Sequence, residues 1–221
     1  MDDFLRFPSR EYFLLLVLLL ISRGADVLST WVATPNLVLE GNPIAKKLGW
    51  GWALPLNFGM AILLAFWPLP AIVISTASVL VAARNFQSAW LMRSLGEQAY
   101  RVWHVARIQE TRATLYLFCL AGNTLLTAAV GGAVIYFTLA LMKTPSRASH
   151  QAFIAFAVGV GIVVYAGAVA FFTLFGVWRM RRAHLRQQRL RQATSSLEQI
   201  PASSRELAQL VERELAQAEG K

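Results

Sequence analysis

The sequence predicts an all-α, polytopic membrane protein with about five transmembrane helices. Two observations carry this: 56% of the 221 residues are hydrophobic against 15% charged, and the apolar residues fall in runs of about twenty, the length that crosses a hydrocarbon core at 1.5 Å per residue. A third is the placing of charge. The net +9 gathers at the ends of apolar runs and in the C-terminal tail, where membrane topology and anionic lipid explain it without nucleic acid.

The first span is expected over residues 12–33, from Tyr12 to Ala33, with Pro35 just beyond it. A cleaved signal peptide, with Arg6 and Arg10 in front of the apolar run, is the alternative. Against it, apolar character resumes at Val27 after Ser22-Arg23-Gly24-Ala25-Asp26. A loop follows, then a second span over 50–67 bracketed by Trp50 and Trp67, and a third over 71–90. One helix from 50 to 90 would be about 60 Å long, twice the membrane. Pro68 and Pro70 cannot both sit inside it, so a helical hairpin turning at the prolines is expected.

Residues 93–112 are dense in arginine and read as an amphipathic segment at the membrane surface, with Arg93, Glu97, Arg101 and His104 on one helical face and Glu97 spaced to pair with either arginine. The fourth and fifth spans, 114–142 and 152–178, contain Gly122, Gly131, Gly132, Gly159, Gly161, Gly167 and Gly176. In lipid, helices associate through such small residues. Asn123, Thr124 and Thr127 read as an interhelical hydrogen-bonding contact, and Cys119, the single cysteine, as a small packing residue. The membrane domain thus covers 1–178, followed by a basic juxtamembrane helix over 179–193. Residues 194–221 read as a linker around Pro201 and a short amphipathic helix whose start Ser203 and Glu206 would cap.

The positive-inside rule places the Arg84–Arg112 segment and the tail in the cytoplasm of a bacterial inner membrane, with the N-terminus outside. That orientation gathers the costly polar residues on one side. Asp26 and Thr30 share a face of the first span. Glu40 and Asn42 follow in the next loop, Arg84 and Asn85 end the third span, and Glu97 and Arg101 come next. An ionised Asp in a span is expensive and must find a partner or a ligand. One reading pairs Asp26 with Arg23 or Arg84. The other makes these residues a cytoplasm-facing site for a polar ligand, a cation or a lipid head group, with His104, Glu97 and Asp26 as conceivable metal ligands.

The pattern Asp26-x-x-x-Thr30, then Glu40-x-Asn42-Pro43, then Asn85 resembles a family of small bacterial membrane proteins of uncharacterised activity, over roughly residues 22–90. The two later spans and the basic tail depart from that compact form. The resemblance implies a shared site at these positions and no particular chemistry.

No phosphate-binding glycine loop, nucleophile elbow, dinucleotide fingerprint or cysteine-rich zinc pattern is present, and the sequence names no cofactor. Two further classes stand beside the binding site: a non-enzymatic assembly or scaffold subunit packing against partner helices or copies of itself, with its tail on anionic lipid, and a transporter or channel. The last is disfavoured by the lack of charge in the centres of spans two, four and five.

Overall fold

The computed structural model describes residues 4–38, 43–142 and 148–198. Among them there are six helices and no strand: α1 (Arg10–Ala33), α2 (Pro43–Leu64), α3 (Pro68–Leu95), α4 (Glu97–Glu110), α5 (Ala113–Met142) and α6 (Ala148–Glu198). Four stretches are long and apolar enough to cross a membrane: α1, α3, α5 and His150–Arg182 of α6. The all-helical class follows from the apolar runs. α2 is not one of the four; its first two turns carry Lys46 and Lys47 and end in a kink at Gly49 (φ 65°, ψ −177°). Only Gly takes that backbone cheaply.

The helix boundaries have local causes. Ser9 caps α1 by accepting from the Tyr12 amide at 3.2 Å, satisfying one of the donors a helix start leaves over. α2 stops at Leu64, and α3 starts at Pro68 behind an extended Trp67. Proline is at home in a first turn, where its missing N–H costs no hydrogen bond. Gly96 (φ 78°) then separates α3 from α4.

Direction follows from the cross-helix hydrogen bonds. Arg23 reaches Ser78, and Asn85 reaches both Ser29 and Thr30, at sequence offsets of 55, 56 and 55. A constant offset means that α1 and α3 run parallel. Against α2 the numbering runs the other way: Leu5 N–H donates to the Phe66 carbonyl, the Tyr12 hydroxyl to Ile62 and Arg23 to Asn57. α2 is therefore antiparallel to α1. A core of Tyr12, Leu19, Ala61, Ala65 and Ala71 lies where the three helices meet. Aromatic rings close its lower end, with Phe4 stacked on Phe66 at 5.1 Å and Tyr12 against Phe66 at 4.7 Å.

α6 joins through glycine. A Cβ on Gly161 would lie 2.7 Å from Thr76 Cβ and 2.9 Å from the Val73 carbonyl, and one on Gly131 would lie 2.8 Å from the Gly159 carbonyl. These three glycines pack as expected. Gly122, Gly132, Gly167 and Gly176 differ, with nothing within 4 Å among the described residues. Two other expectations for α5 are corrected. Thr124 and Thr127 bond their own helix, at the Leu120 and Asn123 carbonyls, the cheapest partner for a hydroxyl in a span. Cys119 is exposed rather than packed.

The chain divides into two compact units, Met1–Gly176 and Val177–Lys221. In the second, Arg182 lies over the Trp178 ring at 3.9 Å. Helix continues through Thr194–Glu198, a stretch expected as linker; Pro201 and the short terminal helix fall outside the described residues.

Candidate functional site

α1 carries a polar residue at nearly every turn on the side facing α3, Ser22, Arg23, Asp26, Ser29 and Thr30, and Thr34 follows as its C-cap. Spacing of three and four keeps them on one stripe. The stripe contacts its surroundings at three levels.

The deepest level is Arg23. It stands ten residues before the end of α1, about 15 Å along the axis, and so near the middle of the helix. Its guanidinium Nη1 donates to Asp26 Oδ2 at 2.9 Å and to Ser78 Oγ at 3.1 Å, and Nη2 donates to Asn57 Oδ1. Asn57 is oriented in turn, because its amide N–H donates to the Ala53 carbonyl at 2.7 Å. One cation therefore ties α1, α2 and α3 together. The pair is not sealed, since the Arg23 and Asp26 side chains are 31% and 18% exposed. Arg23 opens onto a cavity of about 290 Å³ whose other walls include Leu19, Leu48, Ala53, Asn57 and Met60. Because α2 is antiparallel to α1, Leu48 marks the end of this slot nearest the α1 C-terminus.

One turn and more above Asp26, Asn85 donates to Ser29 Oγ and Thr30 Oγ1, both at 3.2 Å. Ser29 is fully buried and donates to the Asp26 carbonyl at 2.8 Å. Thr30 and Asn85 are thus a structural rung between two parallel helices.

The third level lies just past the helix end. Glu97, the first residue of α4, presents its carboxylate to the loop after α1. Oε2 accepts from Thr34 Oγ1 at 2.8 Å and the Val38 amide at 3.2 Å; Oε1 accepts from the Asn36 amide at 3.0 Å and the Asn36 side chain at 3.1 Å. Burial raises the Glu97 pKa, and the bonds from Asn36, Thr34 and Val38 more than reverse that, leaving it below the ordinary carboxylate value. The same loop is fixed from α2, where Trp50 Nε1 donates to the Pro35 carbonyl at 2.8 Å and Lys46 to the Val38 carbonyl at 3.1 Å.

Among the described residues the sequence-derived candidates do not converge on one spot. They are strung along α1 instead. Asp26 sits with Arg23 and Thr30 with Asn85, while Glu97 holds the Thr34–Val38 loop. Arg84 is exposed on α3, within electrostatic reach of Tyr116, and Asp26 has Arg23 as its salt-bridge arginine. Arg101 is exposed on α4. The expected face running from Arg93 through Glu97 is broken at Gly96, so Glu97 turns to the loop rather than to an arginine. The metal reading of Asp26, Glu97 and His104 is also corrected: among the described residues no three His, Cys, Asp or Glu side chains form a metal-holding group. Asp26 is engaged by a guanidinium and Glu97 by hydrogen-bond donors, and His104 stacks on Tyr100 at 5.6 Å. Glu40 and Asn42 lie outside the described residues.

Sequence reasoning treated Arg23 only as a counter-ion and passed over Asn57 and Ser78. Asn57 was findable, since it interrupts an otherwise apolar second span and a lone amide there must face protein. Ser78 carries no such signal. A second cavity, about 530 Å³ between α1, α3 and α6, is walled by residues such as Leu15, Leu18, Val79 and Ile162. Ser75 in that wall is buried with no hydrogen-bond partner among the described residues.

No family model, curated protein or solved structure matches the chain.

Proposed function

We propose that this chain is a polytopic protein of a bacterial cytoplasmic membrane that holds the acidic group of an amphiphile, a carboxylate or a phosphate, at Arg23 in the slot between α1 and α2. The observation that carries the reading is a guanidinium in mid-helix that is still part-exposed to a cavity with mostly apolar walls. A cation at that depth is expensive. Asp26, Asn57 and Ser78 stabilise and aim it, accepting three of its five N–H donors, and the two that remain can serve an oxyanion. The apolar walls suit a hydrocarbon body. A bound cation is the weaker alternative, since among the described residues the charged one lining the slot is Arg23 and Asp26 is not among its walls.

Five spans with the helical hairpin at Trp67–Pro70 belong to this reading. α1 and α3 are parallel with neighbouring starts, so α2 returns across the thickness that α1 crosses. The arginines of the Arg84–Arg112 segment and the basic tail favour a cytoplasmic C-terminus, with the tail on anionic lipid.

Native mass spectrometry of the gently extracted protein tests the site. Wild type should retain an acidic lipid or fatty acid, and Arg23→Gln/Asp26→Asn, which keeps hydrogen-bonding groups without the charges, should lose it. A folded, monodisperse double variant with the same adduct would sink the idea. An assembly role is the second reading, favoured by the open Gly122 and Gly132 on α5 beside exposed Leu126 and Tyr136, a surface another helix could approach closely.

A further inference from the structure

The seat of Glu97 has more anion-binding character than a tie between two segments needs. The backbone amides of Asn36 and Val38 point at the same carboxylate from either side of Leu37. Leu37 is a buried, non-glycine residue in the left-handed region, at φ 54°. Successive amides turned inward around a left-handed residue form a concavity for an anion. A leucine is strained in that conformation, so the surroundings impose the shape. The Leu37 amide donates to the Thr34 carbonyl at 3.0 Å, which closes the turn. The hydroxyl of Thr34 and the side-chain amide of Asn36 complete a set of four donors on two oxygens. Lys46, bonded to the Val38 carbonyl, adds a positive charge at the rim.

We propose that the Thr34–Val38 loop is an oxyanion receptor, that Glu97 occupies it from within the chain, and that a phosphate group competes with Glu97 for it. Donors set for a carboxylate also fit two oxygens of a phosphate, and charge-assisted bonds to either are similar in kind. The receptor caps the C-terminal end of a membrane-crossing helix, the depth at which lipid phosphates lie, so the phosphate can come from a lipid head group or from solution. Displacing Glu97 frees the N-terminus of α4 from the end of α1. The receptor is eleven residues along α1 from Arg23, about 16 Å, and does not rest on the Arg23 reading.

An intramolecular carboxylate is a strong competitor, so its removal is the test. Full-length protein in phosphatidylcholine nanodiscs is titrated with inorganic phosphate by calorimetry. Glu97→Ala should bind phosphate at least tenfold more tightly than wild type, and adding Thr34→Val should remove most of that gain. Glu97→Asp, which keeps the charge but draws it back by one methylene, should give a smaller gain of a few fold. It serves if Glu97→Ala does not fold. Repeating the titration with phosphatidylglycerol in the discs identifies the source. If the gain disappears, a head group already fills the receptor; if it is unchanged, soluble phosphate is the ligand. Equal phosphate binding by wild type and by whichever Glu97 variants fold overturns the proposal, as does a gain that survives Thr34→Val.

Discussion

The α1–α3 pair and the α5–α6 pair bring helices together in opposite ways. α1 and α3 are joined by polar groups at two levels, Arg23–Ser78 and Asn85–Ser29/Thr30, and pack against each other along their length. α5 meets α6 at glycines, and much of its remaining surface faces outward, including Leu125, Leu126, Tyr136 and Phe137. Lipid is as apolar as leucine, so α5 gains little by burying leucines and needs only close backbone contact. Polar groups in α1 have no such indifference, because each must be satisfied inside the protein. Costly residues therefore mark where this fold is specified, and glycines mark where it is only allowed to close.

The largest test of that contrast is Arg23→Ala. It leaves Asp26 charged in mid-helix and Asn57 and Ser78 without their common donor, so a loss of about 3 kcal/mol or more is expected in detergent unfolding. Arg23→Leu/Asp26→Leu should recover most of it, because removing both charges of a part-buried pair is far cheaper than removing one. A double variant as unstable as the single one would show that Asn57 and Ser78, rather than charge, dominate the node.

Next in size is Gly161→Val. Its side chain would collide with Thr76 and the Val73 carbonyl, and overpacking of this kind costs about 1–3 kcal/mol. Gly122→Ala, with open space around it, should be neutral or gain about 0.5 kcal/mol from helix propensity. Comparable losses at both positions in a monomeric preparation would contradict the division between packed and open glycines.

The smallest effect is that of pH on the Glu97 seat. Its folded pKa is lowered, so the bonds are present above the ordinary Glu value of 4.5 and are lost as pH falls through the lower folded pKa. Amide exchange of Asn36 and Val38, corrected for intrinsic rates, should stay level from neutral pH down to the ordinary Glu value of 4.5 and rise below it. Glu97→Gln should abolish the step, and an unchanged profile in that variant would assign it to another group.

The candidate site was only partly legible in the sequence. Asp26 declared itself by its cost in an apolar run, and Arg23 was visible as its neighbour three residues away. Glu97 was visible as a charge but assigned to Arg93 and Arg101; Gly96 breaks the helix on the Arg93 side, and donors of the Thr34–Val38 loop take the carboxylate instead of Arg101. Thr34 and Asn36 carried no signal, because loop donors become a receptor only once the backbone turns at Leu37.

What the sequence determined by itself is local: where helices run, that the chain breaks ahead of Pro68, and which stretches are apolar enough to enter a membrane. Chain length, periodicity and proline stereochemistry act over a few residues and can be read in one dimension. The tertiary structure alone decided that Arg23 joins Asn57 and Ser78, at separations of 34 and 55 residues, and that Glu97 reaches back 63 to Thr34. Those contacts depend on how each helix is rotated about its axis, which apolar composition leaves almost free and a few buried hydrogen bonds then fix.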